Sequence, residues 1–190
     1  MDAYLETSRL LVRRFDPGDV DRLVELSSDV EVMRYLTGGV AVSRHEIEHD
    51  RLPGYVSVSN EPHGFGTYAV QDRTGGEFLG WVALGQAWDG SMPIEVEVGW
   101  RFRRSAWGHG YASEAAVSLL HKGFVELGVE LAWAETMAVN QRSRRVMERL
   151  GMRHVRTEHR HFDDPIPGTE HGEVVYAITR VEWCARTRGG

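Results

Sequence analysis

A chain of 190 residues with one cysteine and one lysine is closed to several classes of protein before any motif is read. Cys184 has no partner for an intrachain disulfide, and a four-cysteine zinc site is excluded. No apolar run approaches the roughly 18 residues that a membrane span requires. The opening Met1-Asp2-Ala3-Tyr4-Leu5-Glu6 lacks the basic and apolar blocks of a signal peptide. These absences predict a cytoplasmic protein with no membrane partner. Positive charge is also scarce: 22 Lys and Arg against 28 Asp and Glu give a formal net charge of -6. Nucleic-acid binders normally carry a basic footprint, so no nucleic-acid partner is expected. Lys122 is the sole lysine, and every other cationic side chain apart from histidine is arginine.

What remains is the composition of an ordinary globular protein, 42% hydrophobic and 26% charged. No internal repeat, low-complexity tract or linker divides the chain, so residues 1–190 are expected to form one domain. A domain of this size buries roughly 70% of the surface of its unfolded chain.

The pattern of apolar positions predicts the elements. Arg9 to Phe15 reads as a strand, and Asp16-Pro17 starts a helix with Val20, Leu23 and Val24 on its apolar stripe. Asp29 to Leu36 and Ser43 to Leu52 read as further helices, broken by Gly38-Gly39, with Pro53-Gly54 stopping the second. Phe65 to Gln71 and Phe78 to Gln86 form a hairpin about Thr74-Gly75-Gly76. Ile94 to Phe102 is a strand in which Ile94, Val96 and Val98 alternate with Glu95 and Glu97. A helix from Gly110 to Leu127, closed by Gly128, precedes a strand over Leu131 to Ala138. Asn140 to Leu150 is a short helix ended by Gly151. Met152 to Phe162 and Glu173 to Val181 are closing strands around a loop rich in Pro, Gly and Asp. Antiparallel strands followed by a βαβ unit predict an α+β fold, one mixed and mostly antiparallel sheet with helices on both faces.

The segment Glu97 to Leu120 carries the most chemistry. Gly108 and Gly110 stand at a helix start, where the first N–H groups point outward and the helix end carries about half a positive charge. A side chain at either position would obstruct a pyrophosphate. A dinucleotide fingerprint needs a third glycine where Ser113 stands, and a Walker loop needs a Gly-Lys-Ser/Thr that is absent. A glycine turn that merely packs is the plain alternative.

Four ordered motifs resemble the GNAT superfamily of N-acetyltransferases, and within it the branch of the ribosomal-protein N-terminal acetyltransferases. Glu97-Val98-Gly99-Trp100 through Trp107-Gly108-His109-Gly110-Tyr111-Ala112-Ser113-Glu114-Ala115 is similar to that branch's strand, cofactor loop and helix. Asn140-Gln141-Arg142-Ser143 with Val146 to Met152 resembles its Asn-x-x-Ser helix. Leu5 to Leu11 resembles its opening strand, and Tyr176 with Glu182-Trp183 its closing one. The likeness implies an acetyltransferase with acetyl-CoA as donor. Cofactor contacts are implied for Trp100, Phe102, Arg103, Arg104, Trp107, Gly108, His109, Gly110, Tyr111, Ala112, Ser113 and Asn140. Arg103-Arg104 replaces what is commonly an Asp-Pro pair, with phosphate contact or solvation as the two readings. Met147 stands where many members carry a tyrosine acid, so that role does not transfer.

The implied reaction is direct attack of a primary amine on the acetyl thioester. It needs a base for the amine, a donor for the carbonyl and an acid near the sulfur. Glu97 is the candidate base, directly or through water, against the plain reading of a solvated strand face. Ser143 is the candidate partner of the sulfur, against a role at the helix start. Asn140 caps that helix and, by the resemblance, bonds the pantetheine arm. Backbone N–H groups near Val98 to Trp100 are the candidate carbonyl donors. The acceptor is expected to be a small amine or a protein N-terminus, and the chain a monomer or homodimer.

Rival readings attach to other residues. His45-Glu46-Ile47-Glu48-His49 matches the zinc-peptidase pattern, though its charged flanks predict a solvated helix. His159 and His161 share a strand face with Asp163 close behind and could form a metal site, but plain surface is the stronger reading and no metal is assigned. Trp88 in the Gln86 to Pro93 loop and the Asp163 to Gly172 loop are candidates for shaping the acceptor site. A non-catalytic sensor of acyl-CoA is the remaining alternative.

Overall fold

Alternating strands first meet in hairpins and then hand over to helices in a computed structural model that describes residues 3–61, 63–86 and 94–188. Among the described residues eight strands make one sheet: β1 (Ala3–Glu6), β2 (Leu10–Arg14), β3 (Gly66–Asp72), β4 (Phe78–Gln86), β5 (Ile94–Phe102), β6 (Val129–Met137), β7 (Arg153–Glu158) and β8 (Glu173–Thr179). Their order is β1-β2-β3-β4-β5-β6-β8-β7. Every neighbouring pair is antiparallel except β5 and β6, which are parallel and joined by the crossover helix α5 (Tyr111–Val125). The expected mixed, mostly antiparallel α+β fold with helices on both faces is the observed one.

The period-2 alternation of the strands decides which helices lie on which face. Tyr68, Val70, Val82, Leu84, Val96, Val98, Ala132 and Ala134 share one buried cluster with Ala115, Ala116, Leu119, Leu120 and Phe124 of α5. Trp183 of α7 (Arg180–Arg188) joins it, 5.6 Å from the Phe124 ring. Each large apolar side chain buried there contributes about 1.5–3 kcal/mol. On the opposite face Ala69 and Phe78 pack with Leu23 and Leu26 of α1 (Val20–Ser28), Met33 of α2 (Val30–Met33), and Ile47 and Leu52. That helical layer covers β2 to β4, while Glu97, Trp133, Glu135 and Glu173 farther along the sheet are exposed or half-buried.

Three expectations are corrected. Pro53-Gly54 does not stop a helix: α3 (Arg44–Glu46) runs through a π-helical turn (Ile47–Arg51) into α4 (Leu52–Asn60). Pro53 sits in the first turn of α4, and the preceding widened turn tolerates its missing N–H. β7 ends at Glu158, so His159 and His161 lie in a loop and share no strand face. Glu182-Trp183 belongs to α7 and not to a strand, because Thr179 and Glu182 close a reciprocal cap. The Glu182 carboxylate accepts from Thr179 N–H at 2.9 Å, and Thr179 Oγ1 accepts from Glu182 N–H at 3.3 Å.

Candidate active site

The one parallel strand pair opens into a fork. Registered pairing of β5 with β6 runs from Ile94 opposite Val129 to Glu97 opposite Trp133 and ends there. Beyond that point β5 continues on β4 as far as Phe102 opposite Gly80, and β6 continues on β8 as far as Met137 opposite Glu173. The inner edges of both strands therefore carry backbone N–H and C=O groups with no strand partner. Crevices at the carboxyl ends of parallel strands, where the connections diverge, are ligand sites by construction. Both α5 and α6 (Gln141–Arg149) begin at this end of the pair.

The loop that enters α5 is held from three sides. Trp107 Nε1 donates to the Phe102 carbonyl at 2.9 Å, and the Arg142 guanidinium lies 4.4 Å from the centre of the Trp107 ring. Arg9, from the β1–β2 turn, donates through Nη1 to the His109 carbonyl at 3.1 Å and through Nε to Glu114 at 2.7 Å. Burial would raise the Glu114 carboxyl, but hydrogen bonds from Thr7 and Arg9 outweigh it and hold the group below its usual range. Arg9 thereby balances an acid in the first turn of a helix that would otherwise repel an anion. From the sequence alone Arg9 is only the first residue of a strand and a member of the Leu5 to Leu11 opening motif.

Gly108 and Gly110 both have φ of +81°, which an L side chain adopts only with strain. A Cβ on Gly108 would meet nothing within 4 Å, so the room outside the loop is open. Gly110 is the N-cap of α5 and supplies no side-chain cap, leaving first-turn N–H groups without an intrahelical acceptor. Within that turn, Ser113 Oγ is buried with no hydrogen-bond partner among the described residues. An open helix start, an orphaned hydroxyl and a backbone fork beside them fit an elongated ligand with an anionic group.

Other implied cofactor residues fall differently. Trp100, Tyr111 and Ala112 are half-buried beside the core, and His109 is exposed with its ring 5.6 Å from Tyr111. Phe102 is buried, and its carbonyl is the part that meets the loop. Arg103 is drawn into ion pairs with Glu25 at 2.5 Å and Glu77 at 3.9 Å, and Arg104 lies 3.8 Å from Asp29. Both arginines are thus turned to acids on the α1–α2 side or on the β3–β4 turn, a placement that the sequence reading did not foresee. Asn140 caps α6, accepting from Ser143 N–H at 3.2 Å and donating to Thr136 Oγ1 at 3.0 Å. Ser143 is half-buried in that first turn, while Met147 is buried in the core.

Glu97 stands at the fork, on the sheet face left open by the helices. Its side chain is reachable by water yet flanked by enough protein to be partly desolvated. Partial burial, and then repulsion from Glu135 on β6, raises its carboxyl above the ordinary value. A raised carboxylate is a better proton acceptor at neutral pH.

His45 and His49 lie one turn apart with ring centres at 4.2 Å, but Glu46 is bound by Arg51 at 2.8 Å and His49 Nδ1 faces the His45 carbonyl at 2.9 Å. Among the described residues no group of three His, Cys, Asp or Glu side chains could hold a metal ion. Trp88 and residues 87–93 lie outside the described residues, so that part of the expected acceptor wall has no structural account. Among the described residues no helix is long and apolar enough to cross a membrane.

Comparison with known proteins agrees with this geometry. Residues 9–153 match the family model of the acetyltransferase (GNAT) domain. The chain is 35% identical over 187 residues to the FsC-acetyl coenzyme A-N(2)-transacetylase of Aspergillus fumigatus, covering 94% of this chain and 77% of that one. A GNAT-family acetyltransferase structure from Bacillus anthracis superposes with a TM-score of 0.75 at 27% identity, over 94% of this chain and 99% of the other. RimL, a ribosomal L7/L12 α-N-protein acetyltransferase solved with coenzyme A, has a TM-score of 0.75 over 94% of this chain and 98% of its own. At 15% identity it shares the fold alone, so the ribosomal-protein branch is not established. GNAT acetyltransferases take their acetyl group from acetyl-CoA, and this chain belongs to that family as an N-acetyltransferase.

Proposed function

We propose that the chain, acting as one domain over residues 1–190 in the cytoplasm, transfers acetyl from acetyl-CoA to a primary amine by direct attack. The observation that carries this reading is the fork at Glu97, with the uncapped start of α5 beside it. The first-turn N–H groups of α5, with Gly108, Gly110 and Ser113, receive the pyrophosphate. Backbone N–H groups of Val98 to Trp100 receive the thioester carbonyl, and Asn140 meets the pantetheine arm through its amide. Glu97 removes the proton from the amine, directly or through water, and the Ser143 hydroxyl stands by the departing sulfur. Tyr111, Ala112, Trp107, His109, Trp100 and the Phe102 backbone shape the walls of that channel.

Two acceptor classes deserve the first screen. The Aspergillus relative is named for acetylation at an N2 amine, which points to a small-molecule amine. The motif likeness to the ribosomal-protein branch points to a peptide α-amine. Either would be acetylated by a chain that is a monomer or a homodimer.

Calorimetric titration with acetyl-CoA, then release of free thiol against a panel of amines, tests the proposal. One site per chain and amine-dependent thiol are expected; saturable binding without turnover on any amine would turn the reading toward a sensor. For the base, the raised Glu97 carboxyl predicts an acidic limb of kcat/KM above the ordinary carboxylate range. Glu97→Gln should remove that limb and most of the activity; a retained limb would move the base elsewhere.

A further inference from the structure

We infer that Arg160 is a positioning residue for the transfer reaction, tying the 159–172 loop across the open sheet face and balancing the charge beside Glu97. The inference rests on Glu97 being the base. Register places the acids involved: Glu97 lies opposite Trp133, Glu135 two residues farther along the same face of β6, and Glu173, opposite Met137, is the diagonal neighbour of Glu135 on β8. Glu158 stands opposite Glu173 at the end of β7. Arg160 reaches over this row. Its Nη1 and Nη2 grip the two Glu135 oxygens at 2.7 Å each, Nη2 meets Glu158 at 2.6 Å, and Nη1 meets Glu173 at 2.7 Å. Bidentate geometry of this kind fixes direction as well as charge.

The loop that carries Arg160 is anchored at both ends of the open face. A Cβ on Gly38 would lie 2.9 Å from Ile166, and one on Gly168 would lie 2.7 Å from Val139 beyond β6. The Gly172 carbonyl accepts from Ala138 N–H at 2.9 Å. A cavity of about 490 Å³, lined by Arg160, Phe162, Ile166 and their neighbours, lies in this loop. Arg160 is therefore the tie between a strap and the acid row that includes the neighbour of the base.

The strand of Glu97 itself carries Glu95 and Arg101, with Arg51 and Tyr55 of the helical layer near Arg101. The facing β4 positions are Trp81, Ala83 and Gly85, none of them titratable. Glu135 comes from β6 and Glu173 from β8, and Arg160 reaches both from the loop. Glu135 repels a charged Glu97, and Arg160 is the cation that compensates Glu135.

The test uses the full chain and reads Glu97 in two ways. Carbon-13 NMR titration of its carboxyl, assigned by difference from Glu97→Gln, needs no acceptor; the acidic limb of kcat/KM uses an amine found in the screen. Arg160→Gln should move both upward by about half to one pH unit, and Glu135→Gln should move both downward by a similar amount. Arg160→Lys, which keeps the charge but loses the two-pronged grip on Glu135, should restore only part of the Arg160→Gln shift, and affinity for acetyl-CoA should stay within about twofold in all three. If Arg160→Gln fails to fold, Arg160→Lys decides: an upward shift smaller than that of a full loss of charge is expected, and an unmoved Glu97 titration overturns the inference. Shifts of one common sign, or none, overturn the inference while leaving Glu97 as the base. If the Glu97 carboxyl titrates as expected but the limb ignores it, the base assignment falls instead.

Discussion

Helix starts in this protein are of two kinds, and the contrast separates support from function. Asp29 caps α2, Ser43 caps α3, Asn140 caps α6, and Thr179 with Glu182 caps α7, each with a side chain on a first-turn N–H. The turn before α1 is closed by Asp16 and Asp19, and Asp19 is buried with Arg13 at 2.6 Å. α5 alone among the helices of eight or more described residues that follow a loop begins on a left-handed glycine with no side-chain cap. A cap uses the helix start to stabilise the fold, whereas an uncapped start keeps its N–H groups for something else.

Filling the open start should have the largest effect. Gly110→Trp places a side chain at φ +81° in front of the first turn, and calorimetry should show loss of acetyl-CoA binding with the fold retained by circular dichroism. Unchanged affinity would erase the distinction between the two kinds of helix start. Next comes the most buried of the closed starts. Asp19→Ala strands Arg13 without its partner and should cost about 3–5 kcal/mol in urea denaturation. Burial opposes the Asp19 charge, but hydrogen bonds from Arg13, the Asp16 N–H and Arg22 win and lower its carboxyl. Its stabilisation is thus present above the unfolded-state value and lost as pH falls through the folded one. Asp19→Asn should flatten the loss of stability below about pH 4.

Removing a cap at the fork sharpens the comparison further. Asn140→Ala should lower stability by about 1 kcal/mol and also weaken acetyl-CoA binding. The smallest effect belongs to α7, where Thr179→Ala should cost about 0.5–1 kcal/mol and leave cofactor binding alone. Equal losses of binding in both would mean that a cap acts only through global stability.

Much of the candidate site was legible because its parts are local in sequence. Strand β5, the Gly108–Gly110 loop, the start of α5 and the Asn140 cap follow from alternation, glycine placement and capping chemistry over short windows. α7 was legible too, since Thr-x-x-Glu is a capping box, yet the resemblance of Glu182-Trp183 to a closing strand obscured it. Pro53 misled because its effect depends on the hydrogen-bond register of the turn before it, which the sequence leaves unstated. Arg9 was missed because its partners lie about a hundred positions away, and nothing in Ser8-Arg9-Leu10 marks an arginine that meets Glu114.

The sequence by itself determined which residues alternate, which glycines free the backbone, and which segments could be strands or helices. These are properties of dihedral preference and apolar period, set within one or two turns of chain. Only the tertiary structure decided that β5 and β6 part after Glu97, that Arg103 is spent on Glu25, and that Arg160 spans Glu135, Glu158 and Glu173. Long charged side chains reach whichever counter-ion packing brings near, and that choice is made by the sheet register and the loops it closes.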